Sequence, residues 1–357
     1  MEIKVVTGAN YGDEGKGMVA YALAKEAKQQ NKNVLSVLYN GGVQRAHTVG
    51  DQIVHCTGAG DLAGGATYYD KMFLVDPIAL WITGTKVYIH PDCRVVLPCD
   101  VMRNREKEIT RGDAKHGSCG MGIFECCKRS NTQSSLFVKD FYDQFALYQK
   151  VKQIESKHPY NLNDELYTVD NFMRAVGYVL ANCTIGYLDN FTSKFDVMIY
   201  EGGQGLLLDQ QNMGDFPHLT PSSVGSYNIY NEINGSGANS VDVFYVSRSY
   251  MTRHGAGPME EECAKAAINA DIVDKTNMPN DWQGALRFGF LKTDSLYRRV
   301  YNDFKRYDKA NLNMVFTQLN YTDGKLATGA GVFEEIVKPS FVDTLYLSDQ
   351  KDIIERV

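Results

Sequence analysis

Ten residues near the N-terminus constrain this chain most: Gly8-Ala9-Asn10-Tyr11-Gly12-Asp13-Glu14-Gly15-Lys16-Gly17. They lie between an apolar run, Ile3 to Thr7, and a helical pattern from Gly15 to Gln29. A strand, a glycine-rich turn and a helix in that order form a corner whose backbone amides and helix N-terminus face an anion. The loop is not a Walker A motif. That motif needs glycine five residues before Gly15 and Ser or Thr after the lysine, where this chain has Asn10 and Gly17. Asp13 and Glu14 would repel phosphate unless a metal ion or a proton transfer uses them, which makes Asp13 the first candidate for chemistry. The plainer alternative, an ordinary strand-turn-helix corner, leaves that density of glycine and charge unexplained.

The apolar run Asn33 to Tyr39 completes a strand-loop-helix-strand unit and predicts a parallel sheet. Strands are also expected at Lys86 to His90, Arg94 to Leu97, Phe195 to Tyr200, Val241 to Val246 and Asn313 to Phe316. Helices are expected at Lys71 to Thr83, over much of 135 to 195 including Val169 to Leu180, and at Leu291 to Phe304. At 357 residues with no repeat and evenly spread polar loops, the fold class is α/β: a single large domain, 1–357, with a central, mostly parallel sheet flanked by helices and a P-loop-like corner. The net charge of -6 argues against a nucleic-acid partner bound by global attraction. The eight cysteines include no CxxC spacing, which disfavours structural zinc and fits a reducing cytoplasm. No run has the length of a membrane span, and the charged N-terminus lacks a signal-type core, so a soluble intracellular protein is expected.

Open α/β sheets bind ligands at the carboxyl ends of their strands. Four glycine-bearing loops fall there, at 8–17, 40–48, 201–205 and 247–258, and bring Lys16, Asp13, His47, Gln44 and Gln204 to one rim. The segment Gly112 to Gly122 is too open for a regular element and suits a ligand wrap. Its Cys119 carries no pattern that marks a nucleophile. The set suits phosphoryl transfer, in which a lysine and Mg²⁺ neutralise phosphate while a carboxylate handles a proton. A dinucleotide dehydrogenase and a nucleotide-binding switch are the rivals. The first would need a clean G-x-G-x-x-G and an acidic residue at the second strand end; the second would need a lysine-serine pair and an intact base-reading motif.

At GDEGKG the chain resembles the adenylosuccinate synthetase family. Residues 40–48 resemble that family's GGxNAGHT, 117–122 its GTTGRG, Glu201 to Gly205 its EGAQG, and Thr252 to Pro258 its STRVGAGP. The resemblance implies that family's fold, Mg²⁺ as cofactor, a homodimer, and a ligase reaction. In that reaction a nucleoside triphosphate phosphorylates a purine 6-oxygen, and L-aspartate displaces the phosphate. It implies Asp13 as the base at N1 and a metal ligand, Lys16 as the phosphate-loop lysine, His47 as the acid at the γ-phosphoryl group and Gln204 beside them. Ala46 would offer its carbonyl to the metal. Gly12, Glu14, Gly15, Gly17, Thr48, Gln318, Asn320 and Arg287 fall at donor-nucleotide positions. Asn10, Gln44, Ser118, Cys119, Thr220 and Gln204 fall at purine-monophosphate positions, with Arg129 as an arginine lent across a dimer interface. Arg253, Trp282, Gln283 and Arg287 are the candidates for aspartate, since arginine forks hold carboxylates best.

The departures narrow the expectation. Where the family reads guanine with Thr-Lys-x-Asp, this chain has Thr317-Gln318-Leu319-Asn320, and an asparagine cannot form the charge-assisted pair with guanine N1–H and N2–H. ATP or dATP becomes the expected donor. Only 37 residues follow Asn320, and the arginine-rich aspartate loop has become Asp281-Trp282-Gln283-Gly284-Ala285-Leu286-Arg287. Together these resemble the phage branch, 2-aminoadenylosuccinate synthetase, which uses dGMP and leads to 2,6-diaminopurine in DNA. The retained Asp13 keeps IMP, the substrate of ordinary adenylosuccinate synthetases, as the alternative. A catalytically inactive nucleotide-binding relative is the alternative of another class.

Overall fold

Predominantly apolar runs such as Val34–Leu38, in which all five residues, Ser36 included, are buried, belong to parallel strands covered on both faces. The computed structural model describes residues 1–274, 277, 282–349 and 354–356, and it assembles these runs into a ten-stranded sheet. Across the sheet the order is Glu355–Arg356, Thr344–Leu347, Asn311–Thr317, Ser240–Arg248, Glu2–Gly8, Val197–Gly205, Val34–Leu38, Ala66–Tyr69, Tyr88–Ile89 and Thr184–Ile185. Neighbours are parallel throughout, except that Glu355–Arg356 runs antiparallel to Thr344–Leu347. Glu2–Gly8 pairs with Val197–Gly205 on one side and Ser240–Arg248 on the other, so the carboxyl ends of the central strands share one rim.

Helix Lys16–Gln29 lays Met18, Val19, Leu23 and Ala27 over Val6, Val34, Ile199 and Phe244 on one face of the sheet. On the other face Leu296 and Val300 of helix Thr293–Phe304 meet Val5, Leu35 and Tyr200. Helices Pro98–Arg111, Ile123–Ser130, Gln144–Lys157 and Val169–Asn182 enclose a further apolar cluster beyond the Ala66–Tyr69 strand.

Four local expectations are corrected. The helix expected from Lys71 is confined to Pro77–Thr83, because Asp76 accepts from the amides of Ile78 and Ala79 and Pro77 fixes the first turn. Arg94 to Leu97 forms only single bridges, Val75 to Val95 and Arg94 to Phe137. It leads into helix Pro98–Arg111, which hydropathy did not reveal and which Pro98 and an Asp100 carboxylate 3.0 Å from the Leu97 amide initiate. Within 135 to 195 the α-helices are Gln144–Lys157 and Val169–Asn182, with the rest in short turns, loops and the edge strand Thr184–Ile185. The glycine-rich 201–205 is strand, pairing with the first strand across a register shift between Val6 and Gly8.

Candidate active site

The first loop is built to receive an anion. Gly15, at φ 96°, caps helix Lys16–Gln29 without any side-chain hydrogen bond, and no acidic residue occupies the first turn, so the helix N-terminal amides stay open. Gly12 takes φ 109° and Asp13, without a glycine's freedom, φ 55°. The Asp13 conformation is braced from behind: Arg248 Nε donates to its carbonyl at 2.5 Å, and Thr317 Oγ1 donates to the Glu14 carbonyl at 2.8 Å. The Glu14 side chain turns inward. It accepts from the Asn10 amide at 2.5 Å and stands 3.9 Å from Lys16 Nζ. Burial pushes its carboxyl up to about 7, against the pull of Lys16.

A cavity of about 530 Å³ opens over this loop. Asp13, Glu14, Gly15, Lys16, Gly17, Ala46, His47, Thr48, Gln318 and Asn320 all line it, so most of the triphosphate-side residues inferred from sequence meet in one place. Gly12 lies off the cavity, with Gly205 beside it. Tyr250, Ile272, Val273 and Tyr321 add apolar wall near Gln318 and Asn320, a chemistry that suits the face of a purine base. Arg248 ties this end to the loop, reaching Asp274 Oδ2 at 2.7 Å as well as the Asp13 carbonyl.

His47 opens the short strand His47–Val49, which pairs antiparallel with Gln52–Val54 beyond the loop that follows Val34–Leu38, and Gly17 is small so that it can enter: a Cβ there would lie 2.6 Å from the His47 Cβ. Its Nδ1 contacts Glu201 Oε1, and Arg45 Nη1 lies 3.0 Å from the same oxygen. The Ala59 amide donates to Glu201 Oε2 at 2.9 Å. Burial would raise the Glu201 carboxyl, yet Arg45 and His47 hold it at about 2. Burial and the Arg45 charge press His47 down to about 4, with Glu201 acting the other way. The ring is neutral at pH 7, and its buried Nε2 has no protein partner. Sequence reasoning missed Arg45 and Glu201. A charged residue at the alanine of GGxNAGHT, and the acid opening the 201–205 motif, were the signals available.

The purine-monophosphate candidates divide. The carboxamides of Gln44 and Gln204 converge on Gly41, where a Cβ would lie 3.2 and 3.1 Å from their Nε2 atoms, and each has a buried Oε1 without a partner. These two amides are placed to read a ligand. Ser118 accepts from Asn104 Nδ2 at 2.8 Å, Thr220 is half-buried with its amide on the Leu208 carbonyl, and burial pushes the Cys119 thiol up to about 11, which fits a lining role. Two expectations are overturned. Asn10 is 1% exposed, with Nδ2 on Ser247 Oγ and Oδ1 on Arg299 Nη2, so its carboxamide braces the loop instead of binding substrate. Arg129 is 3% exposed and grips Asp100 with Nε and Nη2, plus the Val95 and Ser134 carbonyls, so it is committed to its own subunit and cannot be lent to another.

Among the aspartate candidates, Arg253 lies 4.5 Å over the Tyr11 ring and donates to the carbonyls of His218 and Pro258. Its buried Nε has no partner, which leaves one donor for a ligand. The Trp282 ring closes over Gly120, where a Cβ would stand 3.1 Å from it, and Gln283 follows in a half-buried turn. Asp281 lies outside the described residues. Arg287 pairs with Glu262 and donates to the Gly255 and Gly257 carbonyls at 3.1 and 2.8 Å. It does not line the donor cavity, so its assignment to the donor nucleotide is corrected.

No group of three or more His, Cys, Asp or Glu able to hold a metal occurs among the described residues. Five acidic residues line the donor cavity, Asp13, Glu14, Asp51, Asp274 and Asp349. Glu14 stands beside Lys16 and Asp274 is paired with Arg248, while Asp13 and the exposed residue Ala46 lie at the phosphate end. That sparse oxygen set fits Mg²⁺, which takes one or two protein oxygens and completes its shell with water and substrate phosphate.

The fold and site are those of an α/β protein with a glycine-rich, anion-facing loop of non-Walker type at the carboxyl rim of its sheet. Residues 5–278 match the family described as Adenylosuccinate synthetase, and the chain belongs to that family. The adenylosuccinate synthetase of Proteus mirabilis is 28% identical over 288 residues, covering 72% of this chain and 64% of that protein. That of Halothermothrix orenii is 26% identical over 301 residues, covering 76% and 67%. The matched part thus spans about two thirds of the length of these relatives. Two solved structures share the fold. Fully ligated adenylosuccinate synthetase from Plasmodium falciparum superposes with TM-score 0.71 at 15% identity, covering 99% of this chain and 87% of that one. The succinoaminodeoxyadenylate synthetase (PurZ) of cyanophage S-2L, bound to dGMP and dATP as an energy donor, gives 0.62 at 14%, covering 99% and 95%. Among the described residues no helix is long and apolar enough to cross a membrane.

Proposed function

We propose that this chain is a ligase that joins L-aspartate to C6 of dGMP, with ATP or dATP as the phosphoryl donor, giving the 2-amino-deoxyadenylosuccinate precursor of 2,6-diaminopurine in phage DNA. The observation that carries the reading is the donor cavity itself, which joins Asp13, Lys16 and His47 to a base-reading end where Gln318 and Asn320 replace a lysine and an aspartate. A neutral amide at 320 suits an adenine and forgoes the charge-assisted pair that a guanine requires. A solved relative of this fold that carries dGMP and dATP supports the same substrate pair.

Asp13 takes the N1 proton of the purine, and the negative charge that develops on O6 attacks the γ-phosphorus. The O6–P bond forms as the bond from phosphorus to the bridging oxygen of the β-phosphate breaks, releasing the nucleoside diphosphate. The amine of aspartate then adds at C6, loses a proton, and inorganic phosphate departs with O6. Lys16 and the helix N-terminus offset the phosphate charge. His47 presents Nε2 to the same space, and a bound polyphosphate, through its negative charge, favours a proton there. Asp13 and the Ala46 carbonyl would hold Mg²⁺, which when bound neutralises phosphate oxygens. Gln44 and Gln204 orient the acceptor, and Arg253 offers its free Nε to a carboxylate of aspartate. A homodimer is part of the proposal, without Arg129 as its shared residue.

IMP is the second reading, favoured by the retained Asp13. The carboxylate has two oxygens, one for N1–H and one for a neighbouring N2–H, so it accommodates a 2-amino purine as well. Steady-state turnover with dGMP and with IMP, each paired with ATP, dATP and GTP, tests the proposal. The expected best pair is dGMP with ATP or dATP. If IMP with GTP is best, both the acceptor and the donor assignments fail, and no aspartate-dependent turnover with any pair identifies an inactive relative.

A further inference from the structure

Behind His47 lies a charged residue that neither the cavity nor the family motif singles out. Arg45 is 3% exposed and does not line the donor cavity. Its Nη1 stands 3.0 Å from both Glu201 Oε1 and His47 Nδ1, and its Nη2 donates to the Thr57 carbonyl. A guanidinium can only donate. His47 Nδ1 and Glu201 Oε1 are in direct contact, and two bare acceptors do not share such a contact, so the proton between them resides on Nδ1. Arg45 therefore does not bond the imidazole. It saturates the same carboxylate oxygen from the other side while the Ala59 amide holds Oε2, leaving Glu201 no freedom to turn away from the ring.

We propose that Arg45 is a positioning residue: with Glu201 it locks His47 as the Nδ1–H tautomer and presents Nε2 to the path of the transferred phosphoryl group. An alanine at this position of the motif supplies no such clamp, so the device belongs to this chain's own sequence. The inference rests on the proposed role of His47, but its first test does not depend on catalysis.

In ligand-free protein labelled with ¹⁵N-histidine at pH 7, His47 is expected to show a protonated Nδ1 and a bare Nε2. Arg45→Lys should keep that pattern, and Arg45→Met should populate the Nε2–H form with a bare Nδ1; a doubly protonated ring in Arg45→Met would report only the lost Arg45 charge and overturn the clamp. A wild-type His47 protonated on Nε2, or an Arg45→Met protein with an unchanged pattern, overturns the proposal. The second test is a double-mutant cycle, run with whichever acceptor turns over. Arg45→Met should lower kcat by about 10²-fold with nucleotide KM values nearly unchanged, and Arg45→Lys should recover part of the loss. In a His47→Asn background the same change should cost no more than about twofold. Equal losses in both backgrounds would show that Arg45 does not act through His47. Should Arg45→Met fail to fold because Glu201 is left unpaired, Arg45→Met with Glu201→Gln removes both charges and is expected to lose the tautomer pattern; retention overturns the clamp. Wild-type protein without aspartate-dependent turnover would refute the proposed function and leave the NMR test standing.

Discussion

The sharpest consequence of the donor cavity is that its base preference should be reversible by two side chains. Gln318 and Asn320 line the cavity on the loop after strand Asn311–Thr317, and Gln318 already holds φ 63°, so Gln318→Lys imposes no new backbone demand. Asn320→Asp supplies a carboxylate that accepts two guanine N–H groups side by side. A buried bidentate pair of that kind is worth about 1–3 kcal/mol of discrimination. Residue 320 is exposed at the cavity mouth, so solvent screening puts the gain at the low end, about 1–2 kcal/mol, or roughly a 5- to 30-fold shift in the GTP to ATP ratio of kcat/KM. Loss of the neutral amide should weaken ATP at the same time, because a carboxylate faces the acceptor N1 of adenine. The assay is competition between the two donors at fixed acceptor and aspartate, read as the ratio of ADP to GDP formed. A ratio within twofold of wild type would mean that the base is read elsewhere, by the wall of Tyr250, Val273 and Tyr321.

The remaining predictions concern the catalytic corner and the buried charges. Gly17→Ala puts a methyl group against the His47 Cβ, and the resulting ring displacement of about 1 Å should lower kcat by up to about 10²-fold while the protein stays folded, as circular dichroism would verify. Arg129→Met should cost about 3–5 kcal/mol in urea unfolding by leaving Asp100 unpaired, with the acceptor KM of the folded fraction unchanged; a selective rise in that KM would restore the idea of a shared arginine. Burial raises the carboxyl of Asp61 from its ordinary value to about 7, so the folded state holds a proton that the unfolded chain has released, and stability falls as pH rises from about 4 to 7. Asp61→Asn should therefore flatten part of the slope in Tm between pH 5 and pH 8, and an unchanged slope would assign it to other groups. Glu201 has the opposite sign: its carboxyl is depressed to about 2, so its stabilisation is present above about pH 4.5 and is lost as pH falls through 2.

The parallel sheet and its ligand rim were legible because apolar runs and glycine loops are local signals. Asp13, Lys16 and His47 follow the carboxyl ends of two central strands, Glu2–Gly8 and Val34–Leu38, in the segments just beyond them, and parallel pairing alone brings those strand ends together. What the chain order hides is the second partner of each group. Glu201 meets His47 across 154 residues, Arg299 reaches Asn10 across 289, and Arg129 is spoken for by Asp100. Asn10 and Arg129 were misread for that reason. A polar residue in a motif looks available until the fold shows its bonds already made. The helix Pro98–Arg111 escaped because its polar composition obscures its buried face of Val101, Met102 and Asn104, whereas its Pro98 and Asp100 are start signals that were there to be read.

The central claim is that O6 of the purine is phosphorylated before aspartate replaces it. Acceptor nucleotide carrying ¹⁸O at position 6, incubated with ATP, Mg²⁺ and L-aspartate, tests this directly by mass spectrometry of the inorganic phosphate. One ¹⁸O atom should appear in each phosphate released, in step with the succinylated nucleotide. Phosphate free of label, or phosphate released at the same rate without the acceptor, would contradict the mechanism built on Asp13, Lys16 and His47.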